Sequence, residues 1–232
     1  MRFQDKTIVI TGAGGNFGRE GCIYFAKEGA KVAALDINAT TLTETRQQVT
    51  DTCGKSAFLR TFPCDCTDAE AVQSTIKQIV EEFGSIHLLW NNAGYQGQIK
   101  PTLEYDVQDF SRVMNINVTG LFIVLQAVAQ QMVSQPPPPQ QQGYSIVNTA
   151  SVAGLRGTPA MVAYSSSKAA VLAMTVSTAK DLAPHHIRVN AVSPALIGPG
   201  YMWNRQNELH AQSQSPYFAT DPETVANNKI NR

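Results

Sequence analysis

Lys6–Thr11 reads KTIVIT, a β-branched run that stops at Gly12, and Ala13-Gly14-Gly15-Asn16-Phe17-Gly18 leads from there into Arg19–Glu28. The first segment has the pattern of a buried parallel strand. The last has Cys22, Ile23, Phe25 and Ala26 at helical spacing and is closed by Gly29, so it is expected to be a helix. Few folds place a glycine-rich turn between a buried strand and a helix. Glycines let the backbone approach a pyrophosphate, and a helix N-terminus offers free N–H groups and a partial positive charge. The unit therefore predicts a phosphate cradle in the loop from Gly12 to Gly18, with a mere tight turn as the alternative.

The same strand–helix alternation continues along the chain. Lys31–Asp36 is a second strand with Asp36 at its carboxyl end. A carboxylate there accepts hydrogen bonds from the adenosine ribose and repels a 2′-phosphate, which favours NAD over NADP. The alternative is an aspartate that serves the entry of the next helix through Ile37-Asn38-Ala39-Thr40. Thr41–Asp51 reads as a helix, and Ala57–Phe62 as a third strand ending at Pro63-Cys64-Asp65. Asp65 is either an adenine contact or a turn residue. Asp68–Phe83 carries Val72, Ile76, Ile79, Val80 and Phe83 on one helical stripe, and Ile86–Trp90 is a fourth strand that runs into Asn91-Asn92-Ala93-Gly94. An asparagine pair at that place can tie neighbouring strand ends together, while Ala93 and Gly94 leave room for a nucleotide.

Asp106–Met132 is the longest helical pattern, and Asn117 falls on its apolar stripe. A buried amide left unbonded costs ~1–3 kcal/mol, so Asn117 is expected to hold backbone or an ordered water. Gln135–Gly143, with four consecutive prolines, can join neither helix nor sheet and reads as a surface insertion. Tyr144–Asn148 is a fifth strand that aims Thr149-Ala150-Ser151 at the cleft, Ala160–Leu182 a long helix, and His186–Val192 a sixth strand ending at Ser193-Pro194. His185 and His186 have no ligand set around them and are expected to be solvated. Ile197–Trp203 reads as a loop with exposed aromatics, followed by short helices at Asn204–Ala211 and Pro222–Asn228.

Composition narrows the partner. Lys plus Arg and Asp plus Glu both number 18 in 232 residues, without a basic run, so there is no footprint for nucleic acid or an anionic membrane. A 43% hydrophobic content suits one large domain. The first ten residues lack the basic start and apolar stretch of a signal peptide, so a cytoplasmic protein is expected. Cys22, Cys53, Cys64 and Cys66 lack the spacing of a disulfide framework or a zinc site; reduced cysteines and no metal are expected.

Tyr164-Ser165-Ser166-Ser167-Lys168 carries the chemistry. On a helix Tyr164 and Lys168 share a face, and a cation beside a phenol favours the phenolate and brings it toward neutral pH. With seven Tyr in the chain the spacing alone is weak evidence, and the surrounding motifs give it weight.

Together these motifs resemble the short-chain dehydrogenase/reductase family along nearly the whole chain. Thr11 through Gly18 is similar to its cofactor loop, Asn91 through Gly94 to its Asn-Asn-Ala-Gly, and Asn117, Ser151, Tyr164 and Lys168 to its catalytic set. The resemblance implies a single-domain, Rossmann-like doubly wound parallel sheet flanked by helices. It implies NAD as cofactor, a small alcohol or ketone as substrate and a homo-oligomer, tetramer or dimer. It places Gly12, Gly15, Asn16, Phe17, Asp36, Ile37, Asp65, Cys66, Asn92, Ala93, Gly94, Tyr164, Lys168, Pro194 and Ile197 at the cofactor.

More narrowly, NNAGYQG (91–97), NINVTG (115–120), DLAPHHIRVN (181–190) and GPGYMW (198–203) resemble the xylitol (polyol) dehydrogenase branch. The implied chemistry has Tyr164 take the hydroxyl proton, Lys168 lower its pKa and bind the nicotinamide ribose, Ser151 hold the reacting oxygen and Asn117 hold a water. Other carbonyl substrates, such as a steroid or a 3-ketoacyl group, and a non-catalytic NAD-binding protein are the alternatives. Three departures from the family pattern stand out. Asn16 replaces the usual middle glycine, tolerable if left-handed backbone is needed there; Ala195 replaces the glycine after Pro194; and the family's last helix and final strand have no counterpart before Arg232.

Overall fold

The computed structural model describes residues 1–55, 57–136, 143–198 and 201–231, apart from the side chains of 201 and 202. The proline- and glutamine-rich stretch at 137–142 lies outside the described residues.

Six strands form one parallel sheet: β1 Thr7–Thr11, β2 Lys31–Asp36, β3 Leu59–Pro63, β4 Leu88–Asn91, β5 Tyr144–Thr149 and β6 Ile187–Val192. Their order is β3-β2-β1-β4-β5-β6. The chain builds outward from β1 to β3, then returns to the other side of β1 to lay down β4, so the order reverses between β1 and β4. Doubly wound sheets bind ligands at the carboxyl ends beside such a reversal. Here that crevice lies between Gly12 and Asn92.

Alternation along the strands feeds two faces. Val9, Ala33, Leu35, Leu89 and Ile146 point to a core shared with α3 (Ala69–Phe83) and α5 (Leu121–Ser134), while Ile8, Ile10, Val32 and Ala34 meet α1 (Asn16–Lys27) and α2 (Ala39–Cys53). Val9, Ile10 and the VAAL of β2 have no exposed surface, as expected for strands covered on both sides. Helix starts follow simple chemistry. Asn38 caps α2 through the Thr40 and Thr41 N–H groups, and Asp68 caps α3 through those of Glu70 and Ala71.

The long 106–132 pattern is one run with a defect: α4 (Val107–Met114) passes through a π turn at Asn115–Gly120 into α5. By length and mean hydropathy of 1.5 this run could cross a membrane, yet Val124, Leu125, Val128 and Met132 are packed in the sheet core. It is a core helix.

Several boundaries differ from expectation. α1 starts at Asn16, because Gly15 supplies the extended N-cap residue. His186 is a left-handed turn residue at φ 57°, one position before β6; it and His185 are exposed. The aromatics at 201–203 belong to α8 (Tyr201–Gln212) and not to a loop, and α9 (Pro222–Ile230) packs on α8. A short α6 (Val152–Arg156) precedes α7 (Val162–Leu182).

Candidate active site

At the adenosine end, Gly12 has φ +66°, a conformation that favours glycine, and a Cβ at Gly18 would overlap the Gly12 carbonyl. The loop therefore turns tightly and lies against the first turn of α1. Among the described residues no side chain caps that helix, so its first N–H groups face the cleft and fit a phosphate. Asn16 is helical there and is not among the positive-φ residues. No left-handed backbone has to be tolerated.

Asp36 braces the loop: one carboxylate oxygen accepts from the Gly14 N–H at 2.9 Å and the other from the Asn38 N–H at 2.9 Å. Each oxygen keeps a lone pair on the cleft side. The turn role and the ribose role, weighed above as alternatives, are thus compatible.

The Asn-Asn pair ties three strands. Asn92 Nδ2 donates to the Thr11 carbonyl, and the Asn92 and Ala93 N–H groups donate to Thr11 Oγ1 at 2.8 and 2.9 Å. Thr149 Oγ1 donates to Asn92 Oδ1 and accepts from Trp90 Nε1, which brings in β5. Asn91 Nδ2 reaches the Leu121 carbonyl at 2.8 Å and locks the sheet to α5.

Ser151 sits at the end of β5 and caps α6, accepting from the Ala153 N–H at 3.1 Å. Tyr164 and Lys168 come from the first two turns of α7. Lys168 is 3% exposed; its Nζ donates to the Thr149 carbonyl at 2.7 Å and lies 5.6 Å from the Tyr164 ring centroid. Burial lowers the Lys168 pKa to about 8. Burial also pushes the Tyr164 phenol above its ordinary value of 10.0, and a hydrogen bond with the Ser151 hydroxyl draws it part of the way back. The expected depression of Tyr164 by Lys168 does not show in the protein by itself, where desolvation of the phenolate sets the direction.

Asn117 is fully buried in the π turn. Its Oδ1 accepts from the Tyr95 N–H at 2.7 Å, and its Nδ2 donates to the Tyr95 carbonyl at 2.8 Å and to Ser167 Oγ at 3.0 Å. Both amide hydrogens are occupied by protein. The side chain staples the β4–α4 loop to α7, and a π turn at a functional site is a common device.

One cleft of about 370 Å³ joins these groups. It is lined by Gly12, Gly15, Asn16, Phe17 and Asp36 at one end and by Asn92, Ala93, Gly94, Ser151, Tyr164, Lys168, Pro194 and Ile197 toward the other. Four expected residues lie outside its lining, the fully buried Asn117 among them. Ile37 projects into solvent at 70% exposure, and Asp65 Oδ1 accepts from the Thr67 N–H and hydroxyl at 2.8 Å, within its own turn. Cys66 lies against Gly120 of the π turn, with its thiol pushed up to about 12 by burial.

Sequence reasoning missed Tyr95, Gln96 and Gln206, which also line the cleft together with Trp203. It also missed Asp109, a buried carboxylate that accepts from the Tyr95 hydroxyl at 3.2 Å, the Tyr105 hydroxyl at 2.8 Å and the Gln98 N–H at 2.8 Å. Burial, and after it Asp109, raises both phenols, and Asp109 organises the loop carrying Tyr95 and Gln96. Asp109→Ala strands three donors and is expected to lower stability by about 2–4 kcal/mol, read as a shift of the urea midpoint at unchanged slope.

The sequence profile described as short chain dehydrogenase matches residues 6–210. The chain belongs to that family. An uncharacterised oxidoreductase of Thermotoga maritima is 41% identical over 84% of this chain and 72% of its own length. A levodione reductase of Leifsonia aquatica is 32% identical over 91% of this chain and 77% of its own. The crystal structure of an NAD+-bound xylitol dehydrogenase superimposes with a TM-score of 0.93 at 46% identity, covering 100% of this chain and 85% of that one. The expected doubly wound α/β fold and dehydrogenase family are those observed.

Proposed function

We propose that this protein is an NAD-dependent oxidoreductase that interconverts a secondary alcohol of a sugar alcohol, such as xylitol, with the corresponding ketose. The observation that carries the reading is the convergence of Ser151, Tyr164 and Lys168 on the cleft whose far end holds the glycine loop and Asp36. The likeness to an NAD+-bound xylitol dehydrogenase over the full chain supports both the polyol and the cofactor. NAD, when bound, supplies the hydride acceptor at its nicotinamide.

The α1 N-terminus would hold the pyrophosphate and Asp36 the adenosine ribose. Tyr164 takes the proton from the reacting hydroxyl, and Ser151, whose hydroxyl draws the pKa of the phenol down, holds the reacting oxygen. Lys168 holds the nicotinamide ribose and keeps a positive charge beside Tyr164. Asn117 holds the wall behind Lys168: a Cβ built on Gly94 would stand 3.3 Å from Asn117 Oδ1 and 3.5 Å from Lys168 Nζ. The side-chain amide is already committed to protein, which leaves the second lone pair of Oδ1 as its contact for the proposed relay water. A cytoplasmic location and a homo-oligomeric assembly, dimer or tetramer, belong to the same proposal.

The test is NADH formation, followed by absorbance, with xylitol, sorbitol and mannitol, each repeated with NADP. Turnover with NAD on one or more polyols and little or none with NADP is the expected result. Silence on all three from folded protein that binds NADH would sink the polyol assignment. The second reading, a reductase for another carbonyl compound, is favoured by the levodione reductase and is separated by screening cyclic ketones, hydroxysteroids and acyl thioesters in the same assay.

A further inference from the structure

In the cleft that Ser151, Tyr164 and Lys168 line, two glutamines from distant parts of the chain meet. Gln206 Nε2, on α8, donates to Gln96 Oε1, on the β4–α4 loop, at 2.9 Å, and both residues line the cleft. Gln96 Nε2 is buried and has no hydrogen-bond partner among the described residues. An unpaired buried amide costs free energy in the empty site, and this one is recovered when a ligand supplies the missing partner. If both carboxamides are turned over, Gln96 donates to Gln206 and its oxygen becomes the unpaired atom. A hydroxyl satisfies either arrangement, because it both donates and accepts. Nearby donors are already committed: the Tyr95 hydroxyl donates to Asp109, and the Asn117 amide donates to the Tyr95 carbonyl and Ser167.

We infer that Gln96, steadied by Gln206, is the specificity-determining residue that binds a second hydroxyl of the substrate, and so selects alcohols with a hydroxyl beside the reacting carbon over simple secondary alcohols. The inference deepens the proposed function and rests on its placement of the reacting hydroxyl at Ser151 and Tyr164. Trp203, whose ring is held from one side by Lys229 at 5.4 Å, supplies an apolar surface in the same cleft for the carbon chain between the two hydroxyls. A site built to hydrogen-bond a substrate hydroxyl rejects the analogue lacking it much more strongly than an apolar site does.

The experiment compares cyclohexane-1,2-diol with cyclohexanol, and xylitol alongside, for the wild type, Gln96→Met and Gln206→Met. The wild type is expected to prefer the diol in kcat/KM, and Gln96→Met to reduce that preference by roughly tenfold or more, chiefly through KM on the diol. Gln206→Met is expected to reduce it less, since Gln96 remains but loses its support. The ratio is the readout because a merely structural role would lower both rates together. A wild type without preference for the diol, or a Gln96→Met protein that keeps it, overturns the inference. The expected diol pattern combined with silence on xylitol would sustain Gln96 and discard the polyol assignment.

Discussion

Tyr164→Phe is expected to bind NADH with near wild-type affinity and to oxidise its alcohol at least ~10²-fold more slowly, since a positioned acid or base contributes 10²–10⁴ in rate. The substitution removes one oxygen from a ring that α7 and the Lys168 ammonium already hold in place, so the fold and cofactor cradle are left intact. Its pH signature is as diagnostic as the loss itself. Burial raises the Tyr164 phenol above 10.0, so near neutrality the cofactor-free site holds the protonated form. Alcohol oxidation needs the phenolate and should climb with pH as Tyr164 ionises. Ketone reduction needs the phenol and should hold at neutral pH and decline in the same alkaline range. In the Phe variant the residual rate should lack this opposed pair of profiles. Near-normal turnover, or unchanged profiles, would remove Tyr164 from the mechanism.

Local pattern carried most of the fold. KTIVIT before Gly12, the Asp68 cap, the closing Gly84 and the six-strand alternation are each written in a few adjacent residues, and their elements appear within a few positions of the expected ends. The proposed catalytic trio was legible for the same reason: Ser151 follows a strand, and Tyr164 and Lys168 are four apart on one helix.

What stayed hidden depends on partners far along the chain. Asn117 bends a predicted continuous helix into a π turn while gripping backbone 22 residues away, and Gln96 meets Gln206 at a separation of 110. The Tyr164 shift could not be read from Lys168 alone, because its sign is set by how deeply both groups are buried. Asp65 could be read as a ligand or a turn residue, and its Oδ1 does hold its own turn through Thr67. Gly-Pro spacing suggested a loop through residue 203, but α8 begins at Tyr201, and only packing on α9 makes a helix there worthwhile.

Lys168→Met is expected to make the cofactor-free protein more stable at pH 7 while removing its activity. Lys168 is 3% exposed, and its pKa falls from the ordinary 10.5 to about 8 because burial disfavours the charge. At about 1.4 kcal/mol per decade, holding that charge inside costs roughly 3 kcal/mol. Methionine has similar length and no charge, but leaves the Thr149 carbonyl without the Nζ donor, a loss of about 1–2 kcal/mol. The net gain is therefore about 1–2 kcal/mol, measurable by urea unfolding of the two apoproteins. The pH dependence fixes the cause. Below about pH 8 lysine is charged in both folded and unfolded chains, and the penalty is fully present. Between about 8 and 10.5 the unfolded chain binds more protons than the folded one, so wild-type stability rises with pH and the advantage of the variant fades. A variant less stable than wild type at pH 7, or a gap that does not close as the solution becomes alkaline, would show that the buried ammonium supports the fold. The expected outcome shows instead that the fold bears an unfavourable charge beside Tyr164, retained because the chemistry of the cleft requires it.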